Sequence, residues 1–254
     1  MINFFELRYF IQLAYNGTNY HGWQIQPKAI SVQEVLTKAM KILFRDNFEL
    51  FGAGRTDAGV HARTMYAHFD TETEFNLEQM IQKLNSFLPE DITVYRFFKV
   101  ANEAHARFDA VSRSYEYHIH IFKNSFLKDL SWYHYRKLNV DKMNEAAKIL
   151  LEYEDFECFS KTHTDVFTFN CTITEAFWEQ KNEQLVFHIS ANRFLRNMVR
   201  AIVGTLINVG LGKISIEDVR KIIESKNRSK AGFSVPAHGL YLTKVVYPYL
   251  NETN

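Results

Sequence analysis

Cysteine is nearly absent. The 254 residues carry two, Cys158 and Cys171, and these form no CxxC pair. Two thiols cannot build a disulfide framework, so they read as free thiols of a cytoplasmic protein. Proline and glycine are also scarce, at 4 and 10 residues, which excludes collagen-like and low-complexity chains. No run approaches the 18 or so apolar residues of a membrane span. The amino-terminal MINFFELRYF has neither a basic n-region nor a small-residue cleavage site, so no secretory leader is expected. Net charge is missing too: 30 Lys plus Arg stand against 29 Asp plus Glu, and the bulk charge by itself predicts no polyanion partner.

Core material, by contrast, is ample. Hydrophobic residues make up 46% and aromatics 15%, with 22 Phe, 13 Tyr and 3 Trp. The length fits one large domain or two small ones. Most rings fall at inward-facing strand positions, which favours core for any single ring, although exposed rings on such sheets also stack RNA bases. Charge is unevenly placed. Residues 193–230 hold Arg193, Arg196, Arg200, Lys213, Arg220, Lys221, Lys226, Arg228 and Lys230 against Glu217, Asp218 and Glu224, a local balance of +6. Such a segment is either a face aimed at phosphate or a solvated helix surface.

Hydrophobic periodicity predicts one element order twice. Residues 7–15 alternate as a strand. Ser31 with Glu34 opens a helix over 32–44 in the manner of a capping box. Strands follow at 47–53 and 62–71, then a helix from Asn76 through Phe87 that Pro89 stops, then a strand at 92–100. This is β-α-β-β-α-β, the ferredoxin-like split unit. From Ser112 the order recurs: a strand at 112–122, a helix at 140–153, strands at 172–179 and 184–191, helices at 194–209 and 215–225, and a last strand at 239–247. The expected architecture is α+β, two ferredoxin-like α/β subdomains dividing the chain into 1–105 and 106–254.

The most informative stretch is FGAGRTDAGVHA, Phe51 to Ala62. Its three glycines surround Arg55, Thr56 and Asp57, and that density points to left-handed backbone or a close partner. A phosphate loop would end in GK[ST], and a dinucleotide fingerprint would have its third glycine where Asp57 stands. In extended backbone Arg55 and Asp57 project to the same side. A guanidinium there would hold the carboxylate ionised, which suits a nucleophile or charge stabiliser better than a general acid. The alternative is an Arg–Asp pair bracing a tight turn.

The same stretch resembles the signature of the TruA family of tRNA pseudouridine synthases. Four further blocks agree in order: YNGTNYHGWQIQ with SVQEVLTKA, SRSYEYHI, NRFLRNMVRAIVGTLINVG, and PAHGLYLTKVVYP. Together they run from about Leu7 to Pro248. One local departure is Arg196-Asn197, where some relatives carry histidines. The resemblance implies isomerisation of uridine to pseudouridine in the anticodon arm of tRNA, just 3′ of the anticodon (positions 38–40). It implies no metal and no organic cofactor, a pseudouridine synthase fold of two α/β domains sharing an antiparallel sheet with a central cleft, and a homodimer whose tRNA contacts both subunits. By the same resemblance Asp57 is the nucleophile, and Arg55 keeps it charged and fills the gap left by a flipped base. Tyr115 lies on the uracil, Arg200 on a long basic helix pairs with the aspartate, and Leu240 packs on the base.

Rival readings are weaker. A glycosidase needs two carboxylates, and none besides Asp57 shares the motif. His118-x-His120 supplies only two donors for a metal. A catalytically silent RNA-binding module with ferredoxin-like sheets predicts nothing about Asp57.

Overall fold

The computed structural model describes residues 7–161 and 167–250; the first six residues of the stretch read for a leader lie outside these. Strand β1 (Leu7–Tyr15) buries Tyr9, Ile11, Leu13 and Tyr15 on one face, the side that a period of two assigns them. Helix α1 (Val32–Phe44) begins where Ser31 accepts a hydrogen bond from the Glu34 N–H at 3.3 Å, while the Glu34 carboxylate turns to Lys38 one turn on. Strands β2 (Phe51–Gly52) and β3 (His61–Thr71), helix α2 (Leu77–Phe87) and strand β4 (Ile92–Val100) complete the order expected for the first half. Asn76 caps α2 by accepting from Gln79 N–H at 3.0 Å. The strands lie in the order β4, β1, β3, β2, and every neighbouring pair is antiparallel.

β2 is far shorter than the expected 47–53. Phe48 and Leu50 are buried, and the Phe48 ring meets Phe44, Phe69 and Phe75. The apolar residues that suggested a strand are instead a plug filling the core.

Beyond Val111 the chain forms β5 (Ser112–His120), β6 (Trp132–Tyr133), α3 (Val140–Ile149), β7 (Ile173–Lys181), β8 (Gln184–Ala191), α4 (Met198–Gly210), α5 (Ile216–Glu224) and β9 (Leu240–Val246). β7, β8 and β5 pair antiparallel in that order. β6, which periodicity does not reveal, adds a short parallel pairing to β5. The Asn144 side chain of α3 clamps β7 by accepting from Trp178 N–H at 2.7 Å and donating to Trp178 O at 3.1 Å. A complete capping box, Ser215 with Asp218, opens α5.

Helix α4 corrects the sequence reading twice. It starts at Met198 rather than 194, because Asn197 sits at φ +67°, in the left-handed region that asparagine tolerates better than most residues. It is also not a basic helix: all but Arg200 and Asn208 of its 13 residues are buried. The architecture is α+β with mostly antiparallel strands.

Two compact units emerge, one running up to Val111 and joined by the chain from Leu242, the other spanning Ser112–Tyr241. The expected division at 105/106 places 106–111 and the carboxy-terminal stretch differently. Hydrogen bonds give the reason: Val111 N–H donates to Val246 O at 2.9 Å, and Tyr247 Oη donates to Ala106 O at 2.6 Å. Both cysteines are free and buried, and burial pushes their thiols up, to about 12 for Cys158 and about 11 for Cys171. Among the described residues no helix is long and apolar enough to cross a membrane.

Candidate active site

The RTD segment is the irregular tip between β2 and β3. Ala53 N–H still donates to Tyr66 O at 2.7 Å; the chain then leaves the ladder through Gly54. It returns by a turn in which Val60 N–H donates to Asp57 O at 3.1 Å. Gly59, third residue of that turn, has φ +78°, the left-handed value that a type II turn requires there.

What holds the tip is the loop after β1. Gly59 N–H donates to Tyr20 O at 3.1 Å. Tyr15 Oη and Thr56 Oγ1 share a hydrogen bond of 2.9 Å. Gly17 N–H donates to His61 Nδ1 at 3.0 Å. Gly22 has φ +81°, and a Cβ on it would collide with the Thr56 carbonyl oxygen. The two loops are therefore in backbone contact directly beside Asp57. Tyr15 and Trp23 are buried and stacked, with ring centroids 6.2 Å apart, and Tyr20 donates its hydroxyl hydrogen to Asp91. Asp57 itself is half-buried. Its neighbours Thr56 and Gly59 are each tied down, so the carboxylate stands on a fixed backbone. Tyr15 and Tyr20 do this positioning. Strand periodicity places Tyr15 only on the buried face of β1, and hydroxyl partners leave no periodic trace.

Arg55 behaves differently from expectation. Its side chain is exposed and forms no hydrogen bond or ion pair among the described residues. The turn is braced by backbone and by Tyr15, not by an Arg55–Asp57 pair.

The other named residues lie in the second unit. Tyr115 on β5 is half-buried, its ring edge-on to Phe194 at 5.1 Å and 90°. Two residues along the same face, Tyr117 is buried, and its hydroxyl donates to Pro236 O at 2.8 Å. Burial raises the Tyr117 phenol well above its ordinary range, against a smaller opposite pull from Arg200. Arg200 Nε donates to Val235 O at 2.7 Å. The 235–239 segment is thus fastened to α4 by Arg200 and to β5 by Tyr117, and Leu240, buried, follows it as the first residue of β9. His238 in that segment is lowered by burial and by Arg200, against Asp129. The structure groups Asp57 with Arg55 in one unit and Tyr115, Arg200 and Leu240 in the other.

Segment 193–230 is not one positive field. Arg220 binds Glu152, Lys221 binds Asp218, and Lys226 binds Asp155 at 2.6 Å. Arg193 donates to Thr168 O, and Arg228 to Gly232 O and Ser234 Oγ. Arg196, Lys213 and Lys230 remain exposed. Much of the +6 is therefore met by structural partners, some of them acids outside the segment. His118 bonds Glu116 at 2.9 Å and His120 stacks on Tyr133. No group of three or more metal-donor side chains forms among the described residues.

A family model described as tRNA pseudouridine synthase matches residues 12–109 and 146–248. The chain belongs to the tRNA pseudouridine synthase family. Asp57, Arg55, Arg200 and Leu240 fall within the matched spans, whereas Tyr115 lies between them. The protein is similar to tRNA pseudouridine synthase A of Bacteroides fragilis, at 55% identity over 243 residues, covering 95% of this chain and 96% of the relative. The corresponding enzyme of Porphyromonas gingivalis is 55% identical over 245 residues, with 95% and 97% covered. That of Thermoanaerobacter pseudethanolicus is 43% identical over 245 residues. Pseudouridine synthases are isomerases, and this protein is an enzyme of that class.

Proposed function

We propose that the protein isomerises uridine to pseudouridine in the anticodon arm of tRNA, at positions 38–40, with Asp57 as the nucleophile. The N1–C1′ bond breaks, the uracil turns, a C5–C1′ bond forms, and the hydrogen at C5 leaves as N1 gains one, so composition is unchanged. The observation that carries this reading is Asp57 itself: a half-buried carboxylate on a glycine-framed turn, held on one side through Thr56 and on the other through Gly59. A fixed backbone limits the reorganisation needed for attack.

The remaining roles follow the chemistry of each side chain. The target base is stacked in its stem-loop and must be flipped, at a cost of a few kcal/mol. Arg55, exposed and without an ion partner among the described residues, is suited to fill the space the base vacates. Tyr115 offers a ring to stack on uracil and a hydroxyl to move the C5 proton. Leu240 is the apolar residue of base binding, and Arg200 is a further catalytic arginine. No metal or organic cofactor enters the scheme. Mapping pseudouridine in purified tRNA after incubation with the protein tests the reading: modification at 38–40 is expected, and modification confined to other arms would refute it.

The assembly is proposed to be a homodimer, since a tRNA arm must be steadied apart from the site that acts on it. Light scattering should give a mass of about twice 29.9 kDa; a monomer at working concentration would contradict it.

A further inference from the structure

Between β4 and β5 the chain makes a closed turn whose outward side chains have no part in the reaction described above. We propose that Phe51, His105, Arg107 and Phe108 form a ledge on which an unpaired base of the tRNA stacks, away from the reacting uridine; this rests on the tRNA reading above.

Phe108 is 73% exposed and Phe51 41%, yet both rings sit in a contact chain. Phe51 stacks on buried His68 at 5.1 Å and 18°. His105 stands 4.5 Å from His68 and 4.3 Å from Phe108. The Arg107 guanidinium lies 5.5 Å from the Phe108 ring centroid, within cation–π range. Scattered exposed phenylalanines are ordinary; a chain of touching rings flanked by an arginine is a shape that fits a base and its phosphate.

The turn is held rigid. His105 N–H donates to Asp109 Oδ2 at 2.8 Å, Tyr249 Oη donates to the same oxygen at 2.9 Å, and Asp109 N–H donates to His105 O at 3.1 Å. Ala104 and Ala106 are buried beneath it. Such fixed rings lose little freedom on binding. The two imidazoles are uncharged at neutral pH. His105 Nδ1 accepts from the N–H groups of Arg107 and Phe108 at 3.0 and 3.3 Å, and His68 Nδ1 accepts from Ala106 N–H at 3.2 Å. Burial, with His105 and Arg8, brings His68 down to about 4, and burial with Arg8 lowers His105. Asp109 is bonded to Tyr249, and Asp70 to Arg8. The charged side chains exposed on this turn are Glu103 and Arg107, and it is Arg107 that lies over the Phe108 ring.

Position separates the ledge from the chemistry. His68 is seven residues along β3 from His61, where the catalytic tip rejoins the strand. At about 3.3 Å per residue this is roughly 23 Å, so the ledge takes a different nucleotide from the one at Asp57.

The test uses the full-length protein and unmodified tRNA, read both by direct binding and by turnover. Phe108→Ala should weaken binding and raise KM by between about 5- and 150-fold, with kcat at saturating tRNA and the melting midpoint unchanged. Phe108→Trp should restore binding and Phe108→Leu should not, which separates stacking from packing. Arg107→Ala should reduce the slope of log affinity against log salt by about 0.7. Unchanged binding in Phe108→Ala, or full rescue by leucine, would overturn the ledge, as would a fall in assembly mass with unaltered KM, which would assign the rings to a second copy of the chain. Binding is read without turnover, so the ledge can fail while the isomerisation stands, and wild-type protein that makes no pseudouridine would sink the functional reading on its own.

Discussion

Asp57→Ala should lower pseudouridine formation by at least about 10⁴-fold while tRNA binding stays within about threefold of wild type. Loss of a nucleophile removes the covalent route and leaves only what binding and positioning supply, and comparable deletions elsewhere cost 10⁴ or more. The fold should survive the change. The turn bond from Val60 N–H goes to the Asp57 main-chain carbonyl, which alanine keeps, and the side chain is only half-buried. Single-turnover kinetics with filter binding separates the two quantities. Near-normal turnover would remove Asp57 from the role, and loss of binding together with turnover would mean that the substitution had damaged the tRNA surface. A silent RNA-binding module, by contrast, would show no turnover to lose.

Gly22→Ala, one loop away, should also be nearly inactive. The residue needs φ +81°, and its new methyl would meet the Thr56 carbonyl oxygen and approach the Asp57 main chain. Either the loop after β1 or the RTD tip must move, and a displacement of about 1 Å in a reacting group costs on the order of 10²-fold. The expected result is a kcat lower by about 10²-fold or more in a protein that remains folded by circular dichroism. Gly54→Ala is the matched control: its added methyl meets nothing within 4 Å, so activity should remain within about threefold. Equal losses at the two positions would mean that loop flexibility, not the Gly22 contact, is what matters.

These two positions also show what the amino-acid sequence makes legible. Asp57 stands out because glycine density and the RTD triplet are local, and local signals survive in one dimension. Helix α1 and strands β4 and β8 are legible to the residue, since caps, Pro89 and strict periodicity bound them. Gly22 gives no such signal, because its need for a bare Cα comes from Thr56, 34 positions away. The same holds for Phe48 and Leu50, whose alternation reads as a strand until the rings of Phe44, Phe69 and Phe75 claim the space. Residues 194–197 carry a helical pattern, but one left-handed asparagine ends it. The +6 segment misleads for a related reason: Glu152 and Asp155 neutralise part of it from outside the window. Arg55 and Asp57 share a side in extended backbone, but the Arg55 side chain is exposed and makes no ion pair among the described residues, so the inferred pair does not form.

The isomerisation itself is tested most directly by its hydrogen. Joining C5 to the sugar expels the atom at C5, so tRNA carrying tritium at uridine C5 should release it to water when incubated with the purified protein, and the release should match the pseudouridine found at 38–40. Retention of the label in tRNA that binds the protein normally would contradict the account.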